Sequence, residues 1–338
     1  MGFPSEFSAV PLETACVNKL VAAIEARGME ASAESVSGVI CSNLTTWQLY
    51  AFRSLSSTMD VARHLLKRVV DSDVPWQQMH RECRLPPISS CQGLKPAIII
   101  SRQQTVGRGR QGREWRSDEG VGLYVTYLIF VESSLADLGG FSLFMGVCLK
   151  RMLAEYGITC GLKWPNDVLV DMSNCRHISG GFLLGGAAYR KLAGILVETQ
   201  EISEKVCGVS VGIGLNLRPS VAVRELGGVS IEELRGAGSG LTVAYLAEDS
   251  AVARLTRNFI DVVSEYRAGS RDSLLCEWSE SSMLTNKVLV VKNFNGGRPV
   301  VIRGVNESGG LVVSPVSKPS EIEVLYSGEI EREYVVSN

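Results

Sequence analysis

Two patterns alternate along the chain. Short apolar runs rich in β-branched and aromatic residues, bounded by Gly, Pro, Asn or Ser, predict strands, while apolar positions three and four apart predict helices. "TWQLYAFRSL" (46–55) predicts a strand, and "STMDVARHLLKRVV" a helix reaching about Val70, with Ser57 or Thr58 able to cap it. "PAIIISRQQ" and "VGLYVTYLIF" predict buried strands, followed by a helix at about 138–156. "GGFLLGG", "RKLAGILVETQEI" and "CGVSVGIGLNL" then come without helices between them, which implies antiparallel pairing.

Residues 240–280 are helical in pattern, and from about 285 "KVLVVKNF", "RPVVIRGV", "GGLVVSP" and "EIEVLYSGEI" predict a small all-β unit. The expected fold class is therefore α/β, with mixed strands and helices at 46–280 and a small barrel or sandwich at 281–338. Residues 1–45 form an N-terminal extension, in which "LETACVNKLVAAIEARG" has helical spacing and Gly28 as a C-cap. The Pro- and Ser-rich stretch 71–95 reads as a long excursion.

Composition narrows the classes. A chain of 338 residues with 45% hydrophobic content is long enough for one large domain and a small one. A formal net charge of -2 gives no global field for nucleic acid or an anionic membrane, so any anion site is local. Nine cysteines form no C-x-x-C pair and read as free thiols; with no signal-like or membrane-length apolar segment, a cytoplasmic location is expected.

"GRGRQGREW" (107–115) satisfies the dinucleotide fingerprint G-x-G-x-x-G, but only "REWRSDEG" separates Gly112 from the next strand, leaving no room for the crossover helix. "GVSVG" (208–212) matches a nucleophile elbow around Ser210, yet it continues as a strand and every histidine precedes it. The arginines carry more. Arg102, Arg108, Arg110, Arg113 and Arg116 lie within fifteen residues, and guanidinium forks match phosphates and carboxylates. If 107–110 is extended, Arg108 and Arg110 share one side, and Trp115 is placed to stack a purine; otherwise the stretch is a solvated basic hairpin with Trp115 in the core.

Together with "KWPND" (163–167), "RKLAGILVE" (190–198) and "GIGLNL" (212–217), "GRGRQGREW" resembles the biotin protein ligases, from "LSSTMD" (55–60) through the tail. The resemblance implies a mixed sheet related to class II aminoacyl-tRNA synthetases and a C-terminal Src-homology-3-like barrel. It also implies a two-step reaction: biotin and ATP give biotinyl-5′-AMP and pyrophosphate, with Mg²⁺, and biotin then passes to a lysine of a carrier domain. By that resemblance Ser57, Thr58, Met59 and Gln104 line the biotin pocket, and Gly107, Arg108 and Gly109 face the carboxylate and α-phosphate. Arg110 and Arg113 hold phosphates, and Trp115 meets adenine. Lys191 is the catalytic lysine bridging carboxylate and α-phosphate. Lys163 binds phosphate, Asn166 the nucleotide or metal, Asp167 Mg²⁺ or the incoming lysine, Asn216 the adenylate, and Gly194 lets the strand approach biotin.

The extension 1–45 falls short of a winged helix-turn-helix and has no basic recognition helix, so a repressor role is not expected; 71–95 and 171–189 are longer than compact members need. The protein is expected as a monomer or homodimer that acts on a biotin carboxyl carrier domain. The alternatives are a lipoate protein ligase of the same fold, or a nucleic-acid-binding module using the arginine loop.

Overall fold

The computed structural model describes residues 10–11, 31–36, 39–44, 47–70, 96–172, 182–184, 187–235, 248–292 and 294–333. The helix expected from "LETACVNKLVAAIEARG" and the excursion at 71–95 lie outside them, as does most of 171–189. The described residues fall into two compact units. One is drawn from Met1–Asp137, Ile195–Ser220 and Ala237–Thr256, the other from Leu138–Gly194, Val221–Gly236 and Arg257–Asn338.

In the first unit the strands Ala31–Val36, Val39–Leu44, Gln48–Leu55, Ala97–Gln104, Gly122–Glu132 and Val206–Asn216 lie side by side in that order. Gln48–Leu55 and Ala97–Gln104 run parallel, with the helix Thr58–Val70 between them in sequence, as a parallel pair requires. The other pairings of these strands are antiparallel, including Val39–Leu44 against Gln48–Leu55, so the N-terminal extension contributes two strands that follow the segment expected as a helix. Every residue from Gly122 to Val131 is buried, which explains why that strand reads as an unbroken apolar run.

The helix lays Val61, Ala62, Leu65 and Leu66 onto Phe52, Leu55, Ile99, Leu128 and Phe130. It comes close because one face of Val206–Asn216 is nearly bare. Period two puts Gly208, Ser210, Gly212, Gly214 and Asn216 on that face. A Cβ on Gly208 would overlap Leu66, and one on Gly212 would lie 2.8 Å from the Met59 sulfur. Ser210 sits in mid-strand with no turn into a helix, as expected.

In the second unit the helices Phe141–Glu155 and Arg271–Glu280 and the C-terminal part of Glu248–Arg267 are tied by Arg151, whose guanidinium reaches Glu265 at 2.5 and 3.0 Å and Glu277 at 2.6 and 3.1 Å. The tail is a five-stranded antiparallel sheet, ordered Glu323–Leu325, Leu311–Pro315, Val300–Val305, Val288–Val291 and Ile330–Glu333. Its Asn306–Gly310 turn reaches the buried Trp164, whose indole N–H donates to Gly309 O at 3.0 Å. Gly309 has φ +75°, and a Cβ there would press on the Gly140 backbone.

The fold class expected from the sequence is present: a mixed sheet with helices, then a small antiparallel unit. Two short helices were not foreseen, Val221–Glu225 and Ile231–Arg235. The second carries a capping box: Ser230 Oγ accepts from the Glu233 amide at 3.3 Å, and Glu233 Oε2 accepts the Ser230 amide at 2.9 Å. The S-x-x-E spacing of "SIEE" is its sequence signal. Among the described residues, Cys148, Cys160, Cys207 and Cys276 form no disulfide. No described helix is long and apolar enough to cross a membrane.

Candidate functional site

The start of the helix Thr58–Val70 meets the end of the strand Ala97–Gln104 through a buried polar network. Gln104 Oε1 accepts from the Thr58 amide at 2.9 Å and from Thr58 Oγ1 at 3.1 Å. Thr126 Oγ1 donates to Thr58 Oγ1 at 2.8 Å, and Gln104 Nε2 donates to Ser117 Oγ at 2.9 Å. The resemblance made Thr58 and Gln104 ligand contacts. Here their polar groups also bind each other, so they frame this corner. Ser57 and Met59 flank Thr58 and are buried with it.

Residues 107–115 form a hairpin. Trp115 N donates to Gly107 O at 2.9 Å, Gly109 N to Arg113 O at 2.7 Å, and Arg113 N to Arg110 O at 3.2 Å. Gln111 at φ 57° and Gly112 at φ 72° close the tip. Extended backbone stops at Gly109, because Arg110 opens the 3-10 turn Arg110–Gly112; the premise that put Arg108 and Arg110 on one side therefore fails. The glycines also differ. A Cβ on Gly107 would overlap the Trp115 carbonyl oxygen and lie 2.7 Å from Ser117 Oγ, so Gly107 is needed for close packing, whereas Gly109 has ordinary room.

Arg108 Nη1 lies 2.6 Å from Asp60 Oδ1 with the arginine side chain 28% exposed, and its Nε and Nη2 are buried without a hydrogen-bond partner among the described residues. Arg116 pairs with Glu114 at 3.3 Å. Arg113 and Arg116 are exposed, but the buried, part-paired guanidinium of Arg108 suits a discrete anion better than the open basic groove of a nucleic-acid module. Trp115 is half-buried, and its ring lies where a Cβ of Gly214 would be, so it is not a core residue. Asn216, two residues further along that face, is buried.

The second unit holds the remaining predicted residues. Lys191 pairs with Leu169 and Gly194 with Asp167, with a ladder irregularity between Lys191 and Ala193. That extra residue puts Lys191 and Gly194, three apart, on one face with Asp167. Lys191 Nζ meets Asp167 Oδ1 at 2.5 Å, Lys163 Nζ stands 3.8 Å from Oδ2, and Lys163 also lies over the Phe182 ring at 5.0 Å. Asn166 belongs to the turn between the strands Gly161–Lys163 and Asp167–Asp171, as "PND" predicts.

The Lys191 backbone is gripped from the other side. Its N–H donates to Gly227 O at 3.1 Å, its carbonyl accepts from Val229 N at 2.9 Å, and buried Arg190 donates to Gly228 O at 2.8 Å. No motif announces Gly227–Val229, Ser117 or Thr126, and Asp60 closes "LSSTMD" without a role assigned to it; only the capping box at 230–233 hints that the first of these is held.

No group of three or more His, Cys, Asp or Glu among the described residues is arranged to hold a metal. Asp167 serves as counter-ion to two ammonium groups, which does not fit a carboxylate dedicated to Mg²⁺.

Residues 88–216 match the family model described as Biotin/lipoate A/B protein ligase family. The bifunctional ligase/repressor BirA of Bacillus subtilis is 23% identical over 237 residues, 69% of this chain and 65% of that protein. The biotin–[acetyl-CoA-carboxylase] ligase of Paracoccus denitrificans is 35% identical over 130 residues, 36% of this chain and 44% of that protein. The chain thus spans less than two thirds of the length of these curated relatives. Among solved structures, biotin protein ligase from Aquifex aeolicus in complex with biotin and ATP covers 85% of this chain and 99% of its own, with TM-score 0.55 and 19% identity; this likeness is one of fold.

Proposed function

We propose that this chain, which carries a domain of the biotin/lipoate A/B protein ligase family over residues 88–216, is a biotin protein ligase. The observation that carries this is the Arg108 fork beside the Ser57–Thr58–Gln104 corner: buried N–H donors for a carboxylate or phosphate, next to a polar frame for a neutral ring. Biotin's carboxylate oxygen attacks the α-phosphorus of ATP, the bond to the β-phosphate oxygen breaks, and pyrophosphate leaves. A carrier-domain lysine then attacks the acyl carbon of biotinyl-5′-AMP, and AMP departs.

Ser57, Thr58, Met59 and Gln104 shape the biotin end. Gly107, Arg108 and Gly109 meet the carboxylate and α-phosphate, with Arg110 and Arg113 on phosphates. Trp115 and Asn216 hold the adenosine part, against a strand kept bare at Gly214. Lys191 stabilises the charge gathering on the α-phosphate, which positioned cations do well away from water. Asp167 holds Lys191, Lys163 and Asn166 serve the nucleotide, and Gly194 leaves room beside Lys191. Mg²⁺ would arrive on the ATP phosphates and offset their charge. The acceptor is a biotin carboxyl carrier domain, and the location cytoplasmic.

The test is biotin-dependent exchange of labelled pyrophosphate into ATP, with Lys191→Ala as control. Exchange driven by lipoate rather than biotin would move the chain to the other branch of the family. No exchange with either acid would overturn the proposal.

A further inference from the structure

A guanidinium has several donor edges, and knowing which is occupied shows what the others can hold. In Arg108 the Nη1 corner is taken by Asp60 Oδ1 at 2.6 Å. Nε and Nη2, which share another edge, are both buried and have no hydrogen-bond partner among the described residues. Two parallel N–H groups held out of water are suited to gripping a carboxylate or phosphate by two oxygens, and are costly if left unmatched.

Asp60 is itself fixed. Its Oδ2 accepts from Ser56 Oγ at 2.9 Å, and Oδ1 accepts from Arg63 Nη1 at 3.2 Å. Arg63 is held in turn by both Glu198 oxygens, at 3.0 and 2.9 Å. The Asp60 amide donates to Ser57 O at 3.0 Å in the first helical turn. Asp60 is therefore anchored independently of the hairpin, and Arg108 takes its orientation from it. An acid beside an anion site repels the ligand, so a carboxylate here weakens binding unless orienting the arginine outweighs its charge.

We propose that Asp60 is a positioning residue: it holds Nη1 of Arg108 so that the Nε–Nη2 edge faces the oxyanion of the bound acid. That oxyanion is the biotin carboxylate before activation and the acyl-phosphate afterwards, an assignment that rests on the biotin-ligase function proposed above. The competing account makes Asp60 only a favourable acid at a helix N-terminus.

A double-mutant cycle on the full chain separates the two, with biotin binding read by calorimetry and folding by thermal melting. The variants are Asp60→Ala, Arg108→Ala and the double substitution, with Asp60→Asn, which keeps an acceptor oxygen, in reserve should Asp60→Ala melt early. Asp60→Ala is expected to weaken biotin roughly tenfold in the wild-type background and to have no further effect once Arg108 is gone. Equal losses in both backgrounds would show that Asp60 does not act through Arg108, and tighter binding would show that charge dominates orientation; either overturns the proposal. The wild-type titration comes first: no biotin binding there would overturn the function proposed above, and this inference with it.

Discussion

Lys191 and Asp167 meet at 2.5 Å on one face of a bulged antiparallel ladder, and Gly194 stands directly opposite Asp167. The bulge, more than the spacing of the motif letters, brings the lysine to the carboxylate. Asp167→Asn keeps the shape of the side chain but releases Lys191 from its charged partner. The maximal rate of pyrophosphate exchange is expected to fall by about tenfold to a hundredfold, with the KM for biotin little changed. An unchanged rate would leave Asp167 an ordinary residue at the start of its strand.

Trp115 rests where any side chain at position 214 would have to be. Gly214→Val should push the indole off the strand, raise the KM for ATP about tenfold, and shift tryptophan fluorescence. Overpacking of this kind costs about 1–3 kcal/mol, so the melting temperature should fall as well. Unchanged fluorescence and KM would place the nucleotide elsewhere.

Arg151 joins three helices through two carboxylates, each pair part-exposed at the surface. The paired acids raise the arginine above its ordinary value, Glu265 first and Glu277 next, against an opposing effect of burial. After allowance for solvent screening, Arg151→Ala should cost about 1–2 kcal/mol by denaturant titration, less in high salt. Arg151→Lys should not restore it, because one ammonium cannot serve two bidentate partners.

Burial raises the Glu233 carboxyl, but hydrogen bonds from Ser230 and Arg224 outweigh it and leave the group below its ordinary value. The unfolded chain therefore binds the proton more tightly than the folded one. The stabilisation is fully present above the ordinary carboxylate range and is lost as pH falls below it, through the depressed folded value. Wild type should exceed Glu233→Gln in stability at pH 7 and converge with it at strongly acidic pH. Because this box borders the segment that grips Lys191, hydrogen exchange at 227–229 should quicken in the variant at neutral pH.

Much of this was readable in the letters. Long uninterrupted runs such as "VGLYVTYLIF" announce buried strands because both faces are covered, and the four motifs supply the residues on which the proposed site rests. The tip geometry at Gln111 and Gly112 was not readable, because a 3-10 turn and an extended stretch share the same glycines. Nor were Asp60, Ser117 and Thr126, because a carboxylate or hydroxyl becomes informative only once its neighbour across the fold is known. The strands at 31–44 were missed where mixed polar residues hide a period of two.

The Trp164 to Gly309 hydrogen bond spans 145 residues of sequence. A ribosome building this chain releases "KWPND" long before the turn that receives its indole. Until residue 309 emerges, that N–H has no Gly309 carbonyl to meet, and the turn that carries Asn166 and leads into Asp167 lacks this brace. A chain cut short before Gly309 should therefore hold the motif letters but not the hydrogen bond that braces their turn.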